Sequence, residues 1–188
     1  MPGEQNGPVA AGFDPALFEQ RRKRIGGRWL GADLRCHARI DSTNTFLRTL
    51  PEAAFHHGMV ALADEQTGGR GQGSRVWMSE PGANLLFSIG LRPSRSEQLI
   101  LLTLTFAERL AGCLSDLLGE PVTIKWPNDL LVRGCKIAGI LSETQFRGAH
   151  MQRMVIGVGL NVNQIDFGEL LLAQRGGDQI RPLPPASL

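Results

Sequence analysis

Four short segments of this chain bring glycines, cations and polar side chains together in ways suited to an anionic ligand. Gly68-Gly69-Arg70-Gly71-Gln72-Gly73-Ser74-Arg75 packs four glycines into six residues and flanks them with two arginines. Such a segment lets backbone N–H groups turn toward a ligand, and guanidinium forks suit carboxylate or phosphate. No Lys-Ser/Thr follows at P-loop spacing, and the pattern is not the GxGxxG of dinucleotide binding. On composition alone a flexible surface loop reads equally well. Lys125-Trp126-Pro127-Asn128-Asp129 ends an apolar run at a proline and then offers an amide and a carboxylate. The amide can read a paired donor–acceptor edge such as that of adenine. The carboxylate can hold Mg²⁺ or take a proton from an attacking amine. Pro-Asn-Asp is also ordinary turn chemistry.

Lys136-Ile137-Ala138-Gly139-Ile140-Leu141 opens an apolar strand with a lysine suited to an anion or to snorkelling at an edge. Strand parity sends Lys136 and Gly139 to opposite faces unless a bulge intervenes. Gly157-Val158-Gly159-Leu160-Asn161 sets glycines within a strand, as close approach of a ligand or tight packing requires. His37, His56, His57 and His150 form no metal-ligand spacing. Trp77 and Trp126, each beside a glycine or proline loop, are candidates either for a pocket wall or for core packing.

The elements that must position these groups can be read from pattern. Asp14-Pro15 reads as an N-cap and first helical position, opening a helix to Arg24 that Gly26-Gly27 ends. The run Arg21 to Arg24 reads as a solvated helix face. Strands are expected at 34–40, 59–64, 84–91, 122–126 and 154–162. A hairpin is expected from 129–132 and 136–143 around Arg133-Gly134, with a further turn at Arg147-Gly148. Asp41 to Asn44 can cap a helix to about Leu50. Ser96 can cap a long helix from about Glu97 to Leu118, with one apolar face through Leu99, Thr103, Phe106, Leu110, Cys113, Leu114 and Leu117. These elements predict an α+β fold, a mixed and mostly antiparallel sheet backed by helices.

The 188 residues fit one domain, expected over 13–188 after a disordered leader at 1–12. Hydrophobic residues make up 42% and charged residues 20%, which excludes a largely disordered chain. Twenty basic residues against eighteen acidic give a net charge of +2, too balanced for a general nucleic-acid or membrane binder. Three widely spaced cysteines suggest neither a disulfide framework nor a zinc site, and no apolar run reaches bilayer length. A cytoplasmic protein with no DNA and no membrane partner is expected.

In this order and spacing, five segments resemble the catalytic domain of biotin protein ligases. They are Ser42-Thr43-Asn44; Gln66-Thr67-Gly68-Gly69-Arg70-Gly71 with Arg75-Val76-Trp77; Lys125 to Asp129; Lys136 to Leu141; and Gly157 to Asn161. The resemblance implies a sheet like that of class II aminoacyl-tRNA synthetases and a two-step reaction. Biotin and MgATP give biotinyl-5′-adenylate, and a lysine of a biotin carboxyl carrier domain then takes the biotinyl group. It implies Arg70, Lys136 and Asp129 as the catalytic set. Arg70 and Lys136 hold the reacting oxygens, and Asp129 orients or deprotonates the acceptor lysine. Biotin falls to Ser42, Thr43, Gln66, Gly69, Arg70, Gly71, Lys136, Gly139 and Gly157. The nucleotide falls to Trp77, Lys125, Asn128 and Asn161. ATP and Mg²⁺ are the implied cofactors, no protein-bound metal is implied, and a homodimer is left open.

Two departures stand out. Gln72 occupies a position where the family usually carries a second basic residue, which predicts a less firmly held adenylate. The chain also ends soon after Asn161, so a catalytic domain cut short at its C-terminus is expected, without a C-terminal β-barrel or an N-terminal DNA-binding domain. The alternatives are a lipoate or octanoate ligase of the same superfamily and a non-catalytic biotin- or nucleotide-binding protein.

Overall fold

The computed structural model describes residues 13–93, 99–148 and 150–164. The expected leader, the Ser96 cap and the C-terminal end therefore lie outside the described residues. In chain order the elements are α1 (Pro15–Arg24), β1 (Leu34–Ile40), α2 (Thr43–Thr49), β2 (Val60–Gln66), β3 (Asn84–Leu91), α3 (Leu99–Leu118), β4 (Val122–Lys125), β5 (Asp129–Val132), β6 (Cys135–Arg147) and β7 (His150–Asn161). The caps follow the sequence. Asp14 accepts from the N–H groups of Ala16 and Leu17, and Ser42 accepts from the N–H of Thr45. No residue of α1 is buried; in its basic turn Arg21, Lys23 and Arg24 are exposed, whereas the Arg22 side chain folds back onto Glu19 and the Gly27 carbonyl.

The strands form one seven-stranded sheet in the order β1-β2-β3-β7-β6-β5-β4. Only β1 and β2 run parallel, and the crossover that this demands carries α2. Arg133 and Gly134, both at positive φ, make the tight turn between β5 and β6. The register of β5 against β6 shifts at Leu130/Leu131, so Leu131 faces Lys136 while Leu130 faces Ala138. The extra residue, Ile137, is 1% exposed and joins the core. This bulge cancels the parity that would set Lys136 opposite Gly139.

One face of the sheet packs under α3. Met154, Ile156, Val158 and Leu160 of β7 meet Ala138 and Ile140 of β6, Leu130 of β5, and Ala107, Ala111 and Leu114 of α3. The expected helix stripe holds at Leu99, Phe106, Leu110 and Leu114 and fails at two positions: Cys113 is exposed and Leu117 is 75% exposed, while Ala107 and Ala111 are buried. Small side chains let the helix backbone approach the sheet closely, so Ala107 and Ala111 join Leu114 at the centre of the contact, flanked by Leu99, Phe106 and Leu110. On the opposite face, α2 and the segment after it close a smaller core of Leu47, Phe55, Met59, Ala61 and Val155.

A buried arginine anchors this second layer. Arg153, 4% exposed, donates to the carbonyls of Leu47 (3.3 Å) and Leu50 (2.8 Å) and to Glu52 Oε2 (2.6 Å), and lies 4.4 Å above the Phe55 ring centroid. It thus satisfies carbonyls at the C-terminal end of α2, where a cation is favoured. Among the described residues the three cysteines are free, and no helix is long and apolar enough to cross a membrane.

Candidate active site

The α2 side of the sheet carries glycines where the α3 side carries branched side chains. A Cβ on Gly157 would overlap the Asn44 amide, and one on Gly159 would overlap the Trp77 ring. One on Gly139 would lie 2.9 Å from the Trp77 ring and 3.4 Å from Lys136 Nζ. The sheet floor is bare here so that Asn44, Trp77 and Lys136 can lie directly on backbone. Gly157 was expected to line a ligand slot. Its bare backbone makes room for Asn44, and Gly139 shares the support of Trp77 with Gly159.

At one edge of this floor, α2 begins. Thr43 donates its N–H to Gln66 Oε1 at 2.8 Å, and its hydroxyl lies 3.0 Å from the same oxygen. Ser88 Oγ, fully buried, lies 2.6 Å from Asn44 Oδ1 and 2.7 Å from Thr43 Oγ1. Asn44 Oδ1 can only accept, so the Ser88 proton goes there, and the Thr43 proton is left to choose between Ser88 and Gln66. Ser42 is 2% exposed and serves as the cap. Ser88 and Asn44 were missed as site residues. Asn44 stood inside a quoted motif, whereas nothing in the local sequence marks Ser88.

The glycine–arginine loop leaves the end of β2 and returns as a narrow hairpin. Trp77 N–H donates to the Gly69 carbonyl at 3.0 Å, and Gly71 N–H donates to the Arg75 carbonyl at 2.8 Å. A side chain on Gly69 would overlap the Trp77 carbonyl. Gln72 Oε1 accepts from Arg75 at 3.0 Å, so this loop holds its second arginine on its own side chain. Arg70 leaves the loop and pairs with Glu143 at 2.9 Å.

Asp129 pairs with Lys136 at 2.7 Å, and Lys136 Nζ lies 5.4 Å from the Trp77 ring centroid. The bulge therefore delivers the lysine to the glycine floor. The indole nitrogen of Trp77 is buried and has no hydrogen-bond partner. Asn128 donates Nδ2 to the Ile140 carbonyl at 2.8 Å, while Ile140 N–H donates to the Asn128 carbonyl. With one of its two amide N–H groups Asn128 thus braces the turn that presents Asp129. Lys125 pairs in register with Asp129, and Asn161, 4% exposed, ends β7 beside Asn84. Trp126 is 76% exposed, which excludes the core-packing reading for it. His37 stays outside the site, edge-on to Phe46, and burial, then the Arg35 charge, push its imidazole below the ordinary value. Among the described residues no cluster of three His, Cys, Asp or Glu could hold a metal ion.

Comparison with known proteins bears on this arrangement. Residues 36–161 match the model of the biotin/lipoate A/B protein ligase family. The "Bifunctional ligase/repressor BirA" of Bacillus subtilis is 36% identical over 160 residues, covering 80% of this chain and 49% of that protein. The "Biotin--[acetyl-CoA-carboxylase] ligase" of Paracoccus denitrificans is 38% identical over 131 residues, covering 66% of this chain and 52% of that protein. The biotin protein ligase of Aquifex aeolicus, solved in complex with biotin and ATP, superposes with a TM-score of 0.64 at 30% identity, covering 80% of this chain and 64% of that one. The chain spans about half the length of the curated relatives it matches.

Proposed function

This chain belongs to the biotin/lipoate A/B protein ligase family, and from that premise we propose that it activates biotin with MgATP to biotinyl-5′-adenylate and passes the biotinyl group to a lysine of a biotin carboxyl carrier domain. One observation carries the reading. Two cations from distant segments come to one glycine floor: Arg70, joined through Glu143 and Asn44 to the Ser88–Thr43–Gln66 chain, and Lys136, held by Asp129 beside Gly139.

In the first step a biotin carboxylate oxygen attacks the α-phosphorus. A new O–P bond forms, and the bond to the bridging oxygen breaks, releasing pyrophosphate. Two anions must approach, so fixed cations that are in place beforehand lower the barrier. Lys136, oriented by Asp129, stands over the reacting oxygens, and Arg70 clasps them from the loop side. Ser42, Thr43 and Gln66 meet the ureido ring, whose donors and acceptor match their own, while Gly69 and Gly71 supply backbone N–H groups. Trp77, Lys125, Asn128 and Asn161, grouped at the same end of the sheet, take the nucleotide. Mg²⁺ enters with the ATP phosphates.

In the second step the acceptor amine attacks the acyl carbon. The C–O bond breaks, AMP leaves with the electron pair, and Asp129 orients the amine and takes its proton. The carrier domain as partner, a cytoplasmic setting and action without DNA belong to the same proposal. The near-neutral charge supports the last of these, and a gel-shift assay tests it.

Acid-dependent ATP–pyrophosphate exchange tests the reading, run on the purified chain with biotin, with lipoate and with neither. Exchange with biotin alone is expected. Exchange with lipoate alone would move the protein to lipoate chemistry. Biotin binding without exchange would make it a binding protein.

A further inference from the structure

Glu143 belongs to none of the segments that carry the proposed chemistry, yet it gathers more of the site than any of them. Its side chain is 14% exposed, on β6, on the glycine-floor side. Oε1 accepts from Arg48 of α2 and forms an ion pair, at 2.9 Å, with Arg70 of the loop. Oε2 accepts from Asn44 Nδ2 at 2.9 Å, and Asn44 in turn receives the Ser88 proton. One carboxylate thus joins a loop, a helix and two strands.

The charge count is the informative part. Arg48 alone neutralises Glu143, so Arg70 is a second cation on an already paired carboxylate. The group carries a net positive charge, and its two cations are about equally open, Arg70 at 40% and Arg48 at 37% side-chain exposure; of the two, Arg70 comes from the glycine loop. A guanidinium has five donors in a fixed plane, so an ion pair with Glu143 at one nitrogen orients the fork while other donors remain for an incoming anion. A long side chain on a glycine-rich loop would otherwise surrender much rotamer freedom on binding.

We propose that Glu143 is a positioning residue: it fixes the Arg70 guanidinium over the floor and couples it, through Asn44, to the Thr43–Ser88 chain that reads the polar end of the substrate. This rests on the proposed reading of the site. It makes no contact with the reacting atoms and acts through Arg70.

A double-mutant cycle on biotin affinity tests it, using calorimetry on the wild type, Glu143→Gln, Arg70→Ala and the double variant. Melting temperatures serve as the folding control. Glu143→Gln is expected to weaken biotin binding about tenfold in the wild type and less than twofold once Arg70 is alanine. Equal losses in both backgrounds would mean that Glu143 acts independently of Arg70, and would overturn the proposal. If the wild type binds no biotin, the functional reading fails instead, and trypsin cleavage after Arg70 decides the positioning role. Faster cleavage in Glu143→Gln than in wild type, relative to cleavage after Arg24, supports it, and an unchanged ratio overturns it.

Discussion

Along β7, Met154, Ile156, Val158 and Leu160 enter the core under α3, whereas Val155, Gly157, Gly159 and Asn161 face α2 and the arginine loop. The hydrogen-bonded backbone is common to both faces, so the contrast lies in side chains alone. The α3 face fills its space with branched apolar groups and holds the sheet rigid. The α2 face removes side chains from the middle of the strands and fills the gap with Asn44, Trp77 and Lys136. Rigidity from one face permits a bare, polar surface on the other, where each glycine weakens the strand intrinsically.

The comparison is sharpest where chemistry and stability should separate. Lys136→Ala is expected to lower biotin-dependent pyrophosphate exchange by about a thousandfold, with little change in melting temperature. A comparable loss of stability would mean that the two faces are not separable. Ile156→Ala should do the reverse. Ile156 is 1% exposed, and the cavity should cost about 3 kcal/mol in urea unfolding. The fraction still folded should exchange pyrophosphate at the native rate, and a large fall in that rate would break the contrast.

Gly157→Ala probes the boundary between the faces. The new methyl displaces Asn44 and, through it, Glu143 and Ser88, so exchange should fall about a hundredfold while unfolding shifts only slightly. Near-native exchange would show that Asn44 needs no defined position.

The smallest effect concerns acid. Hydrogen bonds from Arg92, then Arg153, hold the Glu52 carboxyl below its ordinary value. Its contribution to stability is present above the unfolded pKa, about 4.3, and is lost as pH falls through the lower folded value. The melting difference between wild type and Glu52→Gln should therefore shrink between pH 6 and pH 3. A constant difference would detach the Arg153 anchor from Glu52.

Much of the framework was legible in the sequence because local rules set it. Asp14 and Ser42 announced their helices, Arg133-Gly134 announced its hairpin, and Asn84–Leu91 matched its strand limits. The stripe of α3 was read correctly at Leu99, Phe106, Leu110 and Leu114 and wrongly at Cys113 and Leu117, because helical spacing alone does not show that packing distance against the sheet favours Ala107 and Ala111. The site was legible in its cations and loops. Ser88 and Glu143 were invisible, since an isolated serine and a strand glutamate carry no local signal.

The sequence by itself determined the elements, the supply of glycines and cations, and the motifs that mark the family, because capping, turn chemistry and periodicity act over a few residues. Only the tertiary structure decided which groups meet. The β6 bulge turned Lys136 onto the floor beside Gly139, and strand register brought Ser88 to Asn44 and set Glu143 beneath Arg70. Register and bulges are fixed by packing of the whole sheet, and a one-residue change in either moves a side chain to the other face.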